Sequence, residues 1–314
     1  MPGIDLHTHL APDLARAELP GVGVDGNAVV LDGNRVGPGD LYRPDRLVAY
    51  LDAVGLAEAV VTVPPPFYRP QLTAAESAAW VAALNDGLLR RIADQPRLTP
   101  LAYLPLEHPR LAVAEYERVA GDPRWAGVTV AAGGQSTALD DDALRPLWQR
   151  LNGDRRTVQL HPGHSPDGRL TPYYLTNLLG NPVETAVAAA QLVFGQVIDG
   201  YPEIRFVLLH CGGCLPAVVG RWERGYAMAR PGVPALSLPP AAAVRRLYVD
   251  VLAHDPAVVD LAVRVFGEQR LVLGSDWPFP MGTDDPLGVI AHRGQEYARQ
   301  VATTNAAEAL GRVQ

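Results

Sequence analysis

Short runs of consecutive apolar residues alternate along this chain with longer segments in which apolar positions recur every three or four residues. The first pattern reads as buried strand and the second as amphipathic helix. The run Gly3-Ile4-Asp5-Leu6 predicts a first strand that ends in His7-Thr8-His9. Residues 11–43 then break the rhythm, being rich in Gly, Pro and Asp, with a possible hairpin around Val29-Val30-Leu31-Asp32-Gly33-Asn34. They read as a small insertion over one end of the fold. Pro44 opens a helix carrying Leu47, Tyr50, Leu51 and Val54, and Gly55 closes it.

From there the alternation is regular. Strands are predicted over 58–63, 98–104, 127–130, 157–161, 205–210, 247–252 and 271–276, and helices over roughly 74–94, 109–120, 142–151, 182–199, 215–228 and 256–266. Eight apolar strands separated by helices in 314 residues predict a single (β/α)8 TIM barrel domain over 1–314, with the insertion after strand one. An open doubly wound sheet is the structural alternative, but no Gly-rich phosphate loop follows the first strand.

Composition narrows the function. A net charge of −7 argues against general affinity for nucleic acid or an anionic membrane. No apolar run approaches a membrane span and no signal-peptide pattern opens the chain, so a soluble, cytoplasmic protein is expected. All 27 basic residues are arginine. Lacking lysine, the chain excludes Schiff-base chemistry and a carbamylated lysine bridging two metals. A carboxylate would have to be gripped by arginine, whose planar fork holds it at two points. The two cysteines form Cys211-Gly-Gly-Cys214. Four-thiolate zinc would need two more, and a thioredoxin-type site would open a helix in a small domain. Two thiols beside the site, in a reducing compartment, are the expectation.

The chemistry gathers at strand ends. Residues two apart on a strand face the same side, so the imidazoles of His7 and His9 can reach one metal ion. His161 ends the fifth strand, His210 the sixth, and Asp276 the eighth. In a (β/α)8 barrel these ends meet on one face, where catalytic residues sit, and a shared metal site follows. Neutral imidazole is the commonest ligand for zinc and similar ions. His164, three residues past His161, is a candidate for the pocket wall. His108 and His292 read as solvated or packing residues, and His254 as a loop contact.

Four motifs, His7-Thr-His9, Leu160-His161-Pro162, His210-Cys-Gly-Gly213 and Gly274-Ser-Asp-Trp-Pro-Phe-Pro280, resemble the amidohydrolase superfamily. More narrowly, they are similar to its branch of metal-dependent decarboxylases that includes the aminocarboxymuconate semialdehyde decarboxylases. Asn181-Pro-Val-Glu184, Val219–Tyr226 and Thr304-Asn305-Ala306 add to the likeness, which covers nearly the whole chain. The resemblance implies one zinc per chain held by His7, His9, His161 and Asp276, with manganese or iron as other occupants. It implies His210 as general acid or base beside Asp276. It also places Arg35 and Arg221 where the branch grips a substrate carboxylate. The second arginine reaches in from a partner subunit there, which implies a homodimer. The chain departs from the branch at Gly163-His164, in place of Trp-Asp, and at Trp277, in place of Tyr. The first removes a large aromatic wall at the His164 position of the substrate pocket and points to a different substrate; the second, at the Trp277 position of that pocket, is a milder change.

The expected function is a zinc-dependent decarboxylase of a small unsaturated or aromatic carboxylic acid. A metal-dependent hydrolase or hydratase, acting on a lactone, amide or enol acid, is the alternative. A non-catalytic barrel would not need the five metal and base residues.

Overall fold

The computed structural model describes residues 3–14, 19 and 21–312. After strand β1 (Ile4–His9) the chain makes a small antiparallel sheet of β2 (Val22–Asp25), β3 (Ala28–Leu31) and β4 (Asn34–Arg35). Helix α1 (Pro44–Val54) leads to β5 (Glu58–Thr62), α2 (Ala74–Arg91), β6 (Leu98–Leu104) and α3 (Pro109–Val119). Next come β7 (Gly127–Ala132), α4 (Arg145–Gly153), β8 (Thr157–Pro162), α5 (Asn181–Phe194) and α6 (Val197–Gly200). Then follow β9 (Arg205–Leu208), α7 (Leu215–Ala227), α8 (Pro240–Val244), β10 (Tyr248–Asp250), α9 (Pro256–Phe266) and β11 (Leu271–Val272). Helices α10 (Pro286–Ala291), α11 (Gln295–Gln300) and α12 (Ala306–Ala309) finish the described chain.

Strands β1 and β5 to β11 pair side by side in chain order, all parallel. Backbone bonds from Leu6 N to Leu273 O (2.9 Å) and from Asp276 N to His7 O (2.8 Å) join the last strand region to the first. The sheet is thus a nearly closed (β/α)8 barrel, as the alternation predicts. Its outward residues, among them Val61, Val130, Val158, Leu160 and Leu208, pack on the helices in one large core. Its inward residues, including Ile4, Leu6, Val60, Leu101, Val207 and Val272, form a second core with Ala306, Ala309 and Leu310 around α12. That end is plugged, and the Thr157 hydroxyl donates to the Ala309 carbonyl at 2.7 Å. The opposite end is left for chemistry. Helix starts follow local rules: Thr73 and Glu76 make a capping box on α2, and prolines open α1, α3 and α9.

Strand β1 breaks the period-two rule. Asp5 pairs with Ala59 but Thr8 pairs with Val61, so one extra residue is inserted on β1 between them. Without this bulge, inward Ile4 and Leu6 would force His7 and His9 outward. With it, the phase reverses and both imidazoles join the interior.

Elsewhere the structure corrects several predicted bounds. The hairpin around 29–34 exists and gains a third strand, β2; residues 15–18 and 20 of the insertion lie outside the described residues. The helix expected over 182–199 is broken where Gln196 turns left-handed (φ 56°). The strands expected over 205–210 and 271–276 are shorter because the chain turns away at His210 and Asp276. Among the described residues, no helix is long and apolar enough to cross a membrane.

Candidate active site

Three histidines meet at the open end of the barrel, and each is tied at Nδ1. His7 Nδ1 lies 2.8 Å from Asp250 Oδ2 at the end of β10. His9 Nδ1 lies 3.1 Å from the Thr62 hydroxyl at the end of β5. His161 Nδ1 lies 3.1 Å from the Pro162 carbonyl oxygen. An acceptor at Nδ1 holds a proton there and leaves Nε2 as the nitrogen that carries the lone pair when the ring is neutral, which is how the outer partners of a metal site orient its imidazoles. All three rings are buried.

Asp276 receives them. Its Oδ1 lies 3.4 Å from His7 Nε2 and 3.2 Å from His9 Nε2. Neither contact is aligned as a hydrogen bond, so both buried Nε2 atoms are left without a hydrogen-bond partner. Two orphaned nitrogens beside a buried carboxylate fit a cation between them. Atoms of His7, His161, His210 and Asp276 also lie within 4.8 Å of one another. The electrostatics agree. Burial opposes charge on Asp276, yet His7 and the surrounding imidazoles hold its carboxyl well below the usual range. Burial likewise lowers the His7 imidazole, but Asp276 and Asp250 outweigh it and raise it to about 10. His9 and His161 have no such pair of carboxylates, and burial lowers both.

His210 is built differently. Its backbone takes a left-handed φ of 52°, followed by Cys211 at 54°, and Asp276 sits at 60°. Such conformations cost on the order of 1–3 kcal/mol each and concentrate at functional sites. The turn is possible because Gly213 follows: a Cβ there would collide with the Pro182 carbonyl oxygen. The His210 ring opens onto the cavity, with Nε2 3.8 Å from Asp276 Oδ2 and Nδ1 without any partner. It is the untied imidazole of the four.

A cavity of about 650 Å³ stands over His161, His210 and Asp276. One wall is the stacked pair Tyr68 and Tyr103, with centroids 4.5 Å apart and planes 8° apart. Phe279, its ring 5.4 Å from that of His9, makes another. Glu184 accepts a bond from the Gly134 amide at 2.6 Å and braces the loop beyond β7.

Of the residues singled out in the sequence, His7, His9, His161, His210 and Asp276 converge, and His164 lines the cavity. Trp277 does not line it; its indole is buried beside Tyr50. Arg35 is exposed on β4, 6.0 Å over the Tyr42 ring, and Arg221 is exposed on α7. Among the described residues no arginine lines the cavity. His108, read as solvated, is partly buried, and its Nε2 lies 2.9 Å from the Leu72 carbonyl oxygen. Both cysteines are free, Cys211 buried with its amide donating to Asp250 Oδ1 at 2.7 Å. Asp250 itself escaped the sequence reading. Its signal was an aspartate inside the otherwise apolar run Tyr248-Val249-Asp250-Val251-Leu252.

A family model described as amidohydrolase matches residues 4–312. The chain is 27% identical over 296 residues to the 2-amino-3-carboxymuconate-6-semialdehyde decarboxylase of Dictyostelium discoideum, covering 89% of this chain and 82% of that one. It is also 27% identical over 290 residues to the 6-methylsalicylic acid decarboxylase of Penicillium expansum, covering 88% and 85%. A crystal structure of a dihydroxybenzoic acid decarboxylase from a Polaromonas species, with bound manganese and the inhibitor 2-nitroresorcinol, shares the fold. The TM-score is 0.79 at 21% identity, over 99% of this chain and 97% of that one.

Proposed function

The chain belongs to the amidohydrolase family, and we propose that it is a zinc-dependent decarboxylase of a small unsaturated or aromatic carboxylic acid. One observation carries the reading. Three imidazoles are tied at Nδ1, and the Nε2 atoms of His7 and His9 face one carboxylate, at the foot of a cavity lined by His161 and by a fourth, untied imidazole. Relatives named as decarboxylases of such acids support the reaction type.

His7, His9, His161 and Asp276 would hold the ion, and manganese or iron suits the same donors. When bound, a divalent ion there supplies Lewis-acid polarisation of the acid's oxygen atoms. The protein's own part is the proton. As the bond between the ring carbon and the carboxyl carbon breaks, its electron pair stays on the ring carbon and carbon dioxide leaves. His210 then delivers a proton to that carbon. Its Nε2 lies 3.8 Å from Asp276 Oδ2, at the cavity floor. The flat Tyr68 and Tyr103 wall receives a conjugated ring.

The arginines act at the rim in this reading. Arg35 lies two residues from Gly37, which packs toward Phe279 of the cavity wall. Arg221 serves a second copy of the chain. Leu179, Val183 and Val187, spaced by four residues around α5, are 44%, 37% and 42% exposed. Helix α7 lies alongside, with Trp222 5.5 Å from Phe194. A homodimer packed on that stripe would cover it, next to the helix that carries Arg221. Two free thiols suit a reducing compartment such as the cytoplasm.

The test uses 2,6-dihydroxybenzoate and 6-methylsalicylate labelled with carbon-13 at the carboxyl. Zinc-loaded protein is expected to release labelled carbon dioxide, and chelated protein none. Label retained in a hydrated or hydrolysed acid would instead support the hydrolase or hydratase reading.

A further inference from the structure

Resting on the cavity being an acid-binding site, we infer that Glu107 is a specificity-determining residue: it accepts a hydrogen bond from an amino or hydroxyl substituent on the substrate, at the end remote from the acid group. Glu107 occupies the turn between β6 and α3 and lines the cavity. It has no ion-pair partner among the described residues, which is uncommon for a carboxylate turned into a half-buried wall. Burial raises its pKa, and its charge in turn bears on the buried Tyr103.

The tyrosine pair lies along the wall that His161 and Glu107 share. The Tyr68 ring lies 6.3 Å from His161, and Tyr103 stacks behind it at 4.5 Å. Glu107 follows in the turn just past the end of β6, the strand that carries Tyr103. Its turn is fixed in place, because His108 Nε2 donates to the Leu72 carbonyl oxygen at 2.9 Å. The cavity therefore has two unlike ends along an aromatic wall: one at His161 and Asp276, where the ion would be held beside His210, and one at the Glu107 carboxylate.

Such a polarity orients a ligand. A carboxylate placed near Glu107 would meet a like charge, and among the described residues no arginine lines the cavity wall to offset it, Arg35 and Arg221 standing outside that wall. The acid is driven to the histidine end, and the far end of the ring meets an acceptor in want of a donor. An amino or hydroxyl group satisfies it. A methyl group of similar size would leave the carboxylate desolvated and unpaired.

The test measures binding of paired benzoates to the zinc-loaded protein by calorimetry: 3- and 4-aminobenzoate and 3- and 4-hydroxybenzoate against 3- and 4-methylbenzoate. At one ring position at least, the donor-bearing acid should bind about ten- to hundredfold tighter, the range for hydrogen bonds to a charged group. Glu107→Ala should abolish the preference, and Glu107→Gln, which keeps an acceptor oxygen, should retain part of it. A residue that merely supports the fold would weaken all ligands alike and leave their ratio unchanged. Equal affinity across the pairs, no binding of any of them, or a preference that survives Glu107→Ala overturns the assignment. If the preference holds while no acid loses carbon dioxide, the decarboxylase reading fails and Glu107 keeps its role.

Discussion

The inner end of the cavity and its outer wall are built on opposite principles. At the inner end, His7, His9 and His161 are buried and each Nδ1 is committed to a fixed acceptor. On the outer wall, Glu107 and His164 line the same cavity with no ion pair among the described residues. Every inner ring is held by a group on a strand end or by its neighbouring backbone, so its direction is set before any ligand arrives. The outer groups hang from turns between strand and helix. On the proposed reading, the inner end sets which chemistry is available and the outer wall sets which molecule receives it. His210 stands between the two, on the barrel yet untied.

The comparison predicts how steeply each region responds to change. The largest effect belongs to Asp276→Asn. Removing the charge that faces His7, His9 and His210 should empty the site and bring turnover to the solution background, which metal analysis and carbon dioxide release would show together. A protein that keeps its ion and its activity would break the inner-end account.

Asp250→Asn comes next. It preserves an oxygen for His7 Nδ1 but removes the charge behind it, and metal affinity should fall about 10- to 100-fold. Competition with a fluorescent chelator measures it, and an unchanged affinity would show that His7 needs no anchor.

A gentler slope follows from protons. In the metal-free protein burial lowers His7, but Asp276 and Asp250 more than compensate and raise it to about 10. Because burial lowers His9 and His161, the proposed ion site predicts that His7 is the ligand that sheds a proton when an ion enters. Below that pKa, affinity should climb about tenfold per pH unit, with about one proton released per ion. Calorimetry in buffers of different ionisation enthalpy counts it.

The smallest response is expected from the thiols. Burial pushes both Cys211 and Cys214 upward, Cys211 also beside the Asp250 charge. At pH 8 the native protein should alkylate slowly and only at half-buried Cys214, and Cys214→Ser should leave turnover within about twofold. Fast labelling of both would reopen a redox role.

Much of this site was legible in the sequence because β8 is regular. Thr157, Gln159 and His161 alternate inward, and His161 falls where alternation puts it. The same reasoning applied to β1 pointed to two residues that the structure does bring together, but by an incomplete route. His7 and His9 do share a side, but they share it with Ile4 and Leu6 only through the bulge, and a bulge leaves no mark in an apolar pattern. Asp250 was invisible for a related reason: a carboxylate inside a strand reads as an interruption until the strand beside it is known. The positive φ at His210 and the empty far wall at Glu107 arise from turns, where no periodicity constrains the side chain.

The most direct test separates His9 from His210. Both lie against Asp276, at 3.2 Å and 3.8 Å, but only His9 is tied at Nδ1. Metal content and carbon dioxide release should be measured side by side for His9→Ala and His210→Ala. The account predicts that His9→Ala loses its ion, while His210→Ala keeps one ion per chain and loses roughly a hundred- to ten-thousand-fold in turnover. A His210 variant that comes out empty beside a His9 variant that stays loaded would contradict it.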